Sequence, residues 1–331
     1  MDRLGFFKHG FSALMDAATS VIGMKKAVES MTEAVDEALS NIQTDVCLHL
    51  PSLEAKMYED AENTLAELAH MGYTSLEVGA YYGDTIHDQK VGELKEMIHR
   101  HGMKAVSAHL YREYKPEPTE AAEDDATEAV AQEVAECGDA EESVTTAIKP
   151  TAEQLWWSKA LDVVAELGCQ SVVMAGIPAF PAAEMESMAQ TYADYFMRVA
   201  EMATERGLKL CYHPAAAELK AQDAVSFFDL IAAKCDATKL WFQIDTLEAL
   251  EANVDICSLL KQYKGRIESL HLHDRGVVCD SGEIDFEHVM KCGQQCGVQR
   301  TIIEQRHFTL PPMNCIERSL QGVLSLPSMR L

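Results

Sequence analysis

Four apolar runs in the second half of this chain end in imidazoles or carboxylates. "LKLCYHPA" (208–215) ends around His213 and "KLWFQIDT" (239–246) around Asp245. "IESLHLHD" (267–274) ends in His271 and His273, and "RTIIEQRH" (300–307) around Glu304. Imidazole nitrogen and carboxylate oxygen together bind divalent cations such as Mn²⁺, Co²⁺, Fe²⁺ or Zn²⁺. A cation held with open positions can chelate adjacent oxygens of a sugar and stabilise an enediolate. A nearby carboxylate would then shuttle the proton alpha to the carbonyl.

Four earlier runs follow the same pattern: "DVCLHLPS" (45–52), "YTSLEVGA" (73–80), "MKAVSAHL" (103–110) and "CQSVVMAG" (169–176). The first three end near His49, Glu77 and His109, and the fourth ends in small apolar residues. Each polar residue also has a plain structural reading. A histidine at a strand end can be a hydrogen-bonded scaffold residue, Glu77 can bridge to a neighbouring strand, and Asp245 can cap the helix that follows. Four independent accidents on adjacent strands are a heavier assumption than one shared cation.

Helix-like stretches separate the runs, among them "EDAENTLAELAHMG", "VGELKEMIHRHG", "AEQLWWSKALDVVAELG" and "YFMRVAEMATERG". Their apolar residues recur at helical spacing. Gly72, Gly102, Gly168, Gly207 and Gly297 each precede a strand, where glycine closes a helix in the left-handed conformation. Eight strand–helix units predict an α/β fold, a (β/α)₈ TIM barrel beginning near residue 45. Active sites of such barrels lie at the carboxyl ends of the strands, which makes the polar strand ends one converging ring.

The 331 residues are 47% hydrophobic and 24% charged, which suits a globular protein with a sizeable core. The net charge of −25 argues against a nucleic-acid partner, since phosphate contacts need clustered Lys and Arg. Eleven of the acidic residues lie between Pro116 and Ile148, where there is no Lys or Arg. That composition reads as a solvated, flexible insertion over 113–150, after the third strand. The ten cysteines show no C-x-x-C pair, Cys292 and Cys296 being the nearest approach to a motif, so reduced, mostly buried thiols and a cytoplasmic location are expected. Residues 1–44 read as a helical extension, amphipathic rather than membrane-spanning because charges interrupt its apolar run.

"LHLHDR" followed by "GEIDF" resembles a segment of the xylose isomerase-like TIM barrels, the sugar phosphate isomerase/epimerase group. "WFQIDT", "TIIEQ" and "LEVGAYYG" resemble that group's strand-six Asp, strand-eight Glu and strand-two Glu, and the likeness runs from about 45 to about 322. It implies a single divalent metal ion (Mn, Co, Zn or Mg) held by Asp245, His271 and Glu304. His213 stands where sugar epimerases of the group carry a glutamate, so their two-glutamate proton transfer is not reproduced. The expected proton carriers are Glu304 and His273, with Glu77 assisting. His49, His109, Tyr81, Asp274, Arg275 and Arg306 are candidate substrate contacts, Asp274 also as a partner orienting His271 or His273. The expected activity is isomerisation or epimerisation of a sugar or polyol through an enediolate. A lyase or hydrolase acting on keto-sugars and a non-catalytic ligand-binding barrel are the alternatives, and self-association stays open. DNA repair of the endonuclease IV type, found in the same superfamily, is disfavoured by the acidity and by the missing extra His and Asp ligands.

Overall fold

The computed structural model describes residues 46–112, 114, 150–178, 180–222 and 224–329. The expected N-terminal extension and nearly all of the acidic insertion lie outside them. Eight parallel strands close into a barrel: β1 (Val46–His49), β2 (Ser75–Val78), β3 (Lys104–Tyr111), β4 (Ser171–Ala175), β5 (Lys209–His213), β6 (Leu240–Asp245), β7 (Ile267–Leu272) and β8 (Arg300–Ile303). They are hydrogen-bonded in chain order, and β8 pairs with β1. All eight of the expected strands therefore form.

The helices fall between them as the periodicity predicts. The longer ones are α1 (Glu54–Met71), α2 (Val91–Arg100), α3 (Ala152–Leu167), α4 (Met185–Thr204), α5 (Phe227–Lys234), α6 (Thr246–Glu251), α7 (Ile256–Gln262), α8 (Phe286–Cys296) and α9 (Pro312–Ser325). Local chemistry sets their ends. Thr151 Oγ1 accepts from the Gln154 amide and the Gln154 side chain accepts from the Thr151 amide, a reciprocal cap that starts α3. Gly168, at φ 88°, ends it and delivers the chain to β4. Asp285 of "GEIDF" caps α8 by accepting from His288 N at 2.9 Å, so this motif residue does structural work.

Strand alternation divides the side chains. Leu48, Leu76, Leu210, Ile244, Leu270 and Ile303 turn outward into the main core, joined by Trp157, Phe196 and Leu161 of the helices. A separate apolar cluster of Cys47, Val106 and Ile302 fills the inside of the barrel. Cys47 and Ile302 precede His49 and Glu304 by two residues, so this dry layer lies under the polar ring. At the end of β2, Gly79 runs so close to Pro51 that an added Cβ would stand 2.6 Å from its Cγ. A small antiparallel sheet (Tyr81–Tyr82, Thr85–Ile86, Gln89–Lys90), which the sequence did not announce, follows it.

The cysteines depart from expectation in one respect. Cys257 and Cys292, on α7 and α8, form a disulfide, while Cys47, Cys169, Cys211, Cys235, Cys296 and Cys315 are buried free thiols. Cys292 thus pairs across two helices where a reduced thiol was expected. No helix among the described residues is long and apolar enough to cross a membrane.

Candidate metal centre

Strand register builds the site. His49 pairs with Glu77 across β1 and β2, and Asp245 pairs with His271 across β6 and β7. Glu304 follows β8 directly, its amide donating to Leu272 O at 3.1 Å. His213 closes β5. The rings of His49, His109, His213 and His271 therefore gather: centroids are 5.1 Å apart for His49–His109, 4.9 Å for His109–His213 and 5.0 Å for His213–His271.

Two overlapping groups of donor atoms result. His213, Asp245, His271 and Glu304 each bring one ligand atom within 4.8 Å of the others, and all four are buried. His49, Glu77, His109 and His271 form a second such group. His271 belongs to both, with Nε2 2.7 Å from Glu77 Oε1 and Nδ1 2.6 Å from Glu304 Oε2.

Glu77 is fully buried and its carboxylate is saturated. Oε1 meets His49 Nδ1 at 2.9 Å as well as His271, while Oε2 accepts from Ser107 Oγ and Gln243 Nε2, both at 2.8 Å. His109 Nδ1 stands 3.5 Å from the same Oε1, outside hydrogen-bond geometry. Burial would raise the Glu77 pKa, but His271, His109 and His49 hold it well below the usual carboxylate range. Glu77 thus presents a fully hydrogen-bonded carboxylate to the rings of His49 and His271.

Gln243 was not foreseen. Its Nε2 donates to Glu77 and to Ser269 Oγ (3.0 Å), which fixes the amide's direction and turns Oε1 toward His213 Nδ1 at 2.8 Å. An amide oxygen only accepts, so His213 carries its proton on Nδ1 and a lone pair on Nε2. That Nε2 is buried with no hydrogen-bond partner among the described residues. Burial, then His109 and His271, lower the His213 pKa to about 3 and keep the ring neutral. A buried, unpartnered lone pair is costly unless something binds it. The donor set, two imidazoles and two carboxylates, suits a divalent transition metal.

The remaining charges are arranged around this core. Burial opposes the charge on His271, but Glu77 and Glu304 outweigh it and raise its pKa to about 10. For Glu304, burial is overcome by His49, His271 and Arg306, which hold it well below the usual value. Arg306 Nε donates to Glu304 Oε1 at 2.5 Å and Nη1 to Glu248 Oε1 at 2.8 Å, so the guanidinium is aimed into the site and tied there. Asp245 does two things at once: Oδ1 caps α6 by accepting from Leu247 N and Glu248 N, and Oδ2 meets His273 Nδ1 at 2.9 Å. His273 keeps a second buried nitrogen, Nε2, without a partner among the described residues.

Other candidates fall elsewhere. Asp274 is buried but accepts from the amides of Arg275 (2.8 Å) and Ser281 (3.4 Å), shaping its own loop instead of orienting His271 or His273. Arg275 is half exposed and paired with Glu251 and Glu283. Tyr81 packs edge-on against Trp156 at 5.2 Å, under the Arg112 guanidinium, which lies 4.6 Å from the Trp156 ring. Ser107, Gln243 and Ser269, which alternation alone could have found, sit two residues before His109, Asp245 and His271 on the same strands.

Residues 65–292 match the model of the xylose isomerase-like TIM barrel family, and the chain belongs to that family. A sugar phosphate isomerase/epimerase from Parabacteroides distasonis ATCC 8503 shares its fold at a TM-score of 0.68 and 21% identity, over 87% of this chain and 96% of that one. D-psicose 3-epimerase from Clostridium cellulolyticum H10, solved with D-tagatose, superposes at 0.56 and 14% identity over 81% and 93%. The IOLI protein, solved with a bound zinc atom, superposes at 0.59 and 12% identity over 87% and 99%. No curated protein matches the chain.

Proposed function

We propose that this protein is a divalent-metal-dependent isomerase or epimerase of a sugar, sugar phosphate or polyol. The observation that carries the reading is the convergence of His213, Asp245, His271 and Glu304 from four successive strands, with the buried lone pair of His213 Nε2 unpartnered among the described residues. The names of the structural neighbours, a sugar phosphate isomerase/epimerase and a ketose epimerase, support the same class of substrate.

These four side chains would hold the cation. When bound, it would polarise the carbonyl and hydroxyl oxygens of the sugar. Glu304, itself one of the four, would also be the base that takes the proton alpha to the carbonyl, giving an enediolate, with His49, His271 and Arg306 keeping its carboxylate ionised. His273, oriented by Asp245 and with Nε2 unpaired, is the second group able to return a proton. Glu77, Gln243, Ser107 and Ser269 keep the rings in place. His49 and His109 line the second donor group and are the nearest polar groups to contact a sugar hydroxyl.

One observation favours a second reading. With His213 in place of a strand-five glutamate, Glu304 has no glutamate opposite it to complete a two-base transfer, which suits loss of water or of an aglycone from a keto-sugar. Incubation with Mn²⁺ and a panel of ketoses and 3-keto-glycosides in D₂O, followed by NMR, separates the two. Deuterium at the carbon alpha to the carbonyl with an isomeric product is the expected result. Released water or aglycone assigns a lyase or hydrolase, and no exchange with any sugar removes the catalytic reading.

A further inference from the structure

A second group of metal-binding donors lies away from the barrel mouth. α7 and α8 pack side by side. Cys257 is in the first turn of α7, and His288 and Cys292 are one helical turn apart on α8, so they share a face. The ligand atoms of all three lie within 4.8 Å of one another, with both sulfurs buried and the imidazole exposed. The thiol pair is joined as a disulfide. His288 Nε2 stands 3.9 Å from Cys292 Sγ, and that sulfur is the hydrogen-bond partner of its ring among the described residues.

A disulfide needs two sulfurs and gives no use to the imidazole set beside it. A tetrahedral cation does. With Zn–S near ~2.3 Å and Zn–N near ~2.0 Å, two donors on one ion stand roughly 3.5 Å apart, close to the His288–Cys292 separation. The Cys257–Cys292 Cα separation of 5.7 Å allows the sulfurs to part by side-chain rotation alone. Soft thiolates with one imidazole select zinc-like ions over the hard cations that carboxylates favour.

We propose that Cys257, His288 and Cys292, once the thiols are reduced, bind a soft divalent cation such as zinc on the outer wall of the barrel. Reduction adds two electrons and two protons to the disulfide, both supplied by a dithiol that leaves as its own disulfide. The cation then displaces the thiol protons. Cation and disulfide exclude each other, and each ties together the ends of the same segment, separated by 35 residues, that carries His271 and His273. The site goes beyond the isomerase reading and does not rest on it.

Cobalt tests this on the full chain. Protein reduced with a phosphine is alkylated in a sample aliquot to show that both thiols are free, then titrated with Co²⁺. Thiolate-to-cobalt charge transfer in the near ultraviolet is expected, a signal that the imidazoles and carboxylates of the barrel mouth cannot give. Cys292→Ser should abolish it. His288→Ala, at an exposed position that leaves both thiols intact, should shift it to higher cobalt concentration. No charge-transfer band in fully reduced protein overturns the site, as does a band that neither substitution alters.

Discussion

His271 Nε2 lies 2.7 Å from Glu77 Oε1, with both side chains sealed from solvent. That bond engages one ring nitrogen, and Nδ1, on the Glu304 side, lies 2.6 Å from Glu304 Oε2. Through this ring Glu77 is tied to both groups of donor atoms at the barrel mouth.

Replacing Glu77 by Gln keeps the shape and removes the charge that orients His271. Manganese affinity is expected to fall about 10- to 100-fold while the far-ultraviolet circular dichroism stays unchanged. Isothermal titration of both proteins with Mn²⁺ measures this; equal affinities would mean that Glu77 does not position a metal ligand.

Gln243 joins His213, Glu77 and Ser269 in one buried node. Gln243→Leu fits the space but leaves three buried groups short of a partner. Each unsatisfied group costs about 1–3 kcal/mol, so urea denaturation should show a clear loss of stability. Metal affinity should fall as well, because His213 is then free to place its proton on Nε2. A variant as stable and as avid as the parent would mean that the node does not position the ligand.

Much of this centre was legible in the sequence, and the reason is strand geometry. A barrel brings the carboxyl ends of its strands to one mouth, so His49, Glu77, His109, His213, Asp245, His271 and Glu304 announce themselves by where the apolar runs stop. Gln243 and Ser107 lie inside runs, where nothing marks a polar residue as part of a site except its two-residue offset from a strand end. Asp274 was misplaced because a carboxylate next to a histidine in sequence was given a ring to orient, while nearby backbone amides claimed it. The Cys257–Cys292 pair could not be read at all, since it depends on how two helices pack and not on spacing.

Glu304→Gln removes the proposed base without changing its volume. Exchange of the substrate's alpha proton should slow by about 10²–10⁴-fold. Wild-type exchange rates in the variant, read by NMR in D₂O, would transfer the role to His273.

Glu218 gives the fold a pH dependence of its own. Burial raises its pKa from 4.5 to about 7, against the bond it receives from Tyr212. The folded state therefore holds this proton longer than the unfolded chain does. Its stability contribution is complete below pH 4.5 and is lost as pH rises through about 7. The loss is at most roughly 3 kcal/mol. Glu218→Gln still accepts from Tyr212 and cannot ionise, so its melting temperature relative to wild type should rise between about pH 5 and about pH 8. Parallel melting curves across that range would show that Glu218 ionises in the fold as it does in water.

The central claim is that His213, Asp245, His271 and Glu304 share one ion, and a titration with Mn²⁺ tests it most directly, because manganese prefers these oxygen and imidazole donors to thiolates. Wild-type protein freed of metal should bind a single equivalent and melt at a higher temperature when loaded, and His213→Ala and Asp245→Asn should each weaken or abolish both effects. No saturable uptake by the wild type, or uptake that neither substitution changes, would contradict the account.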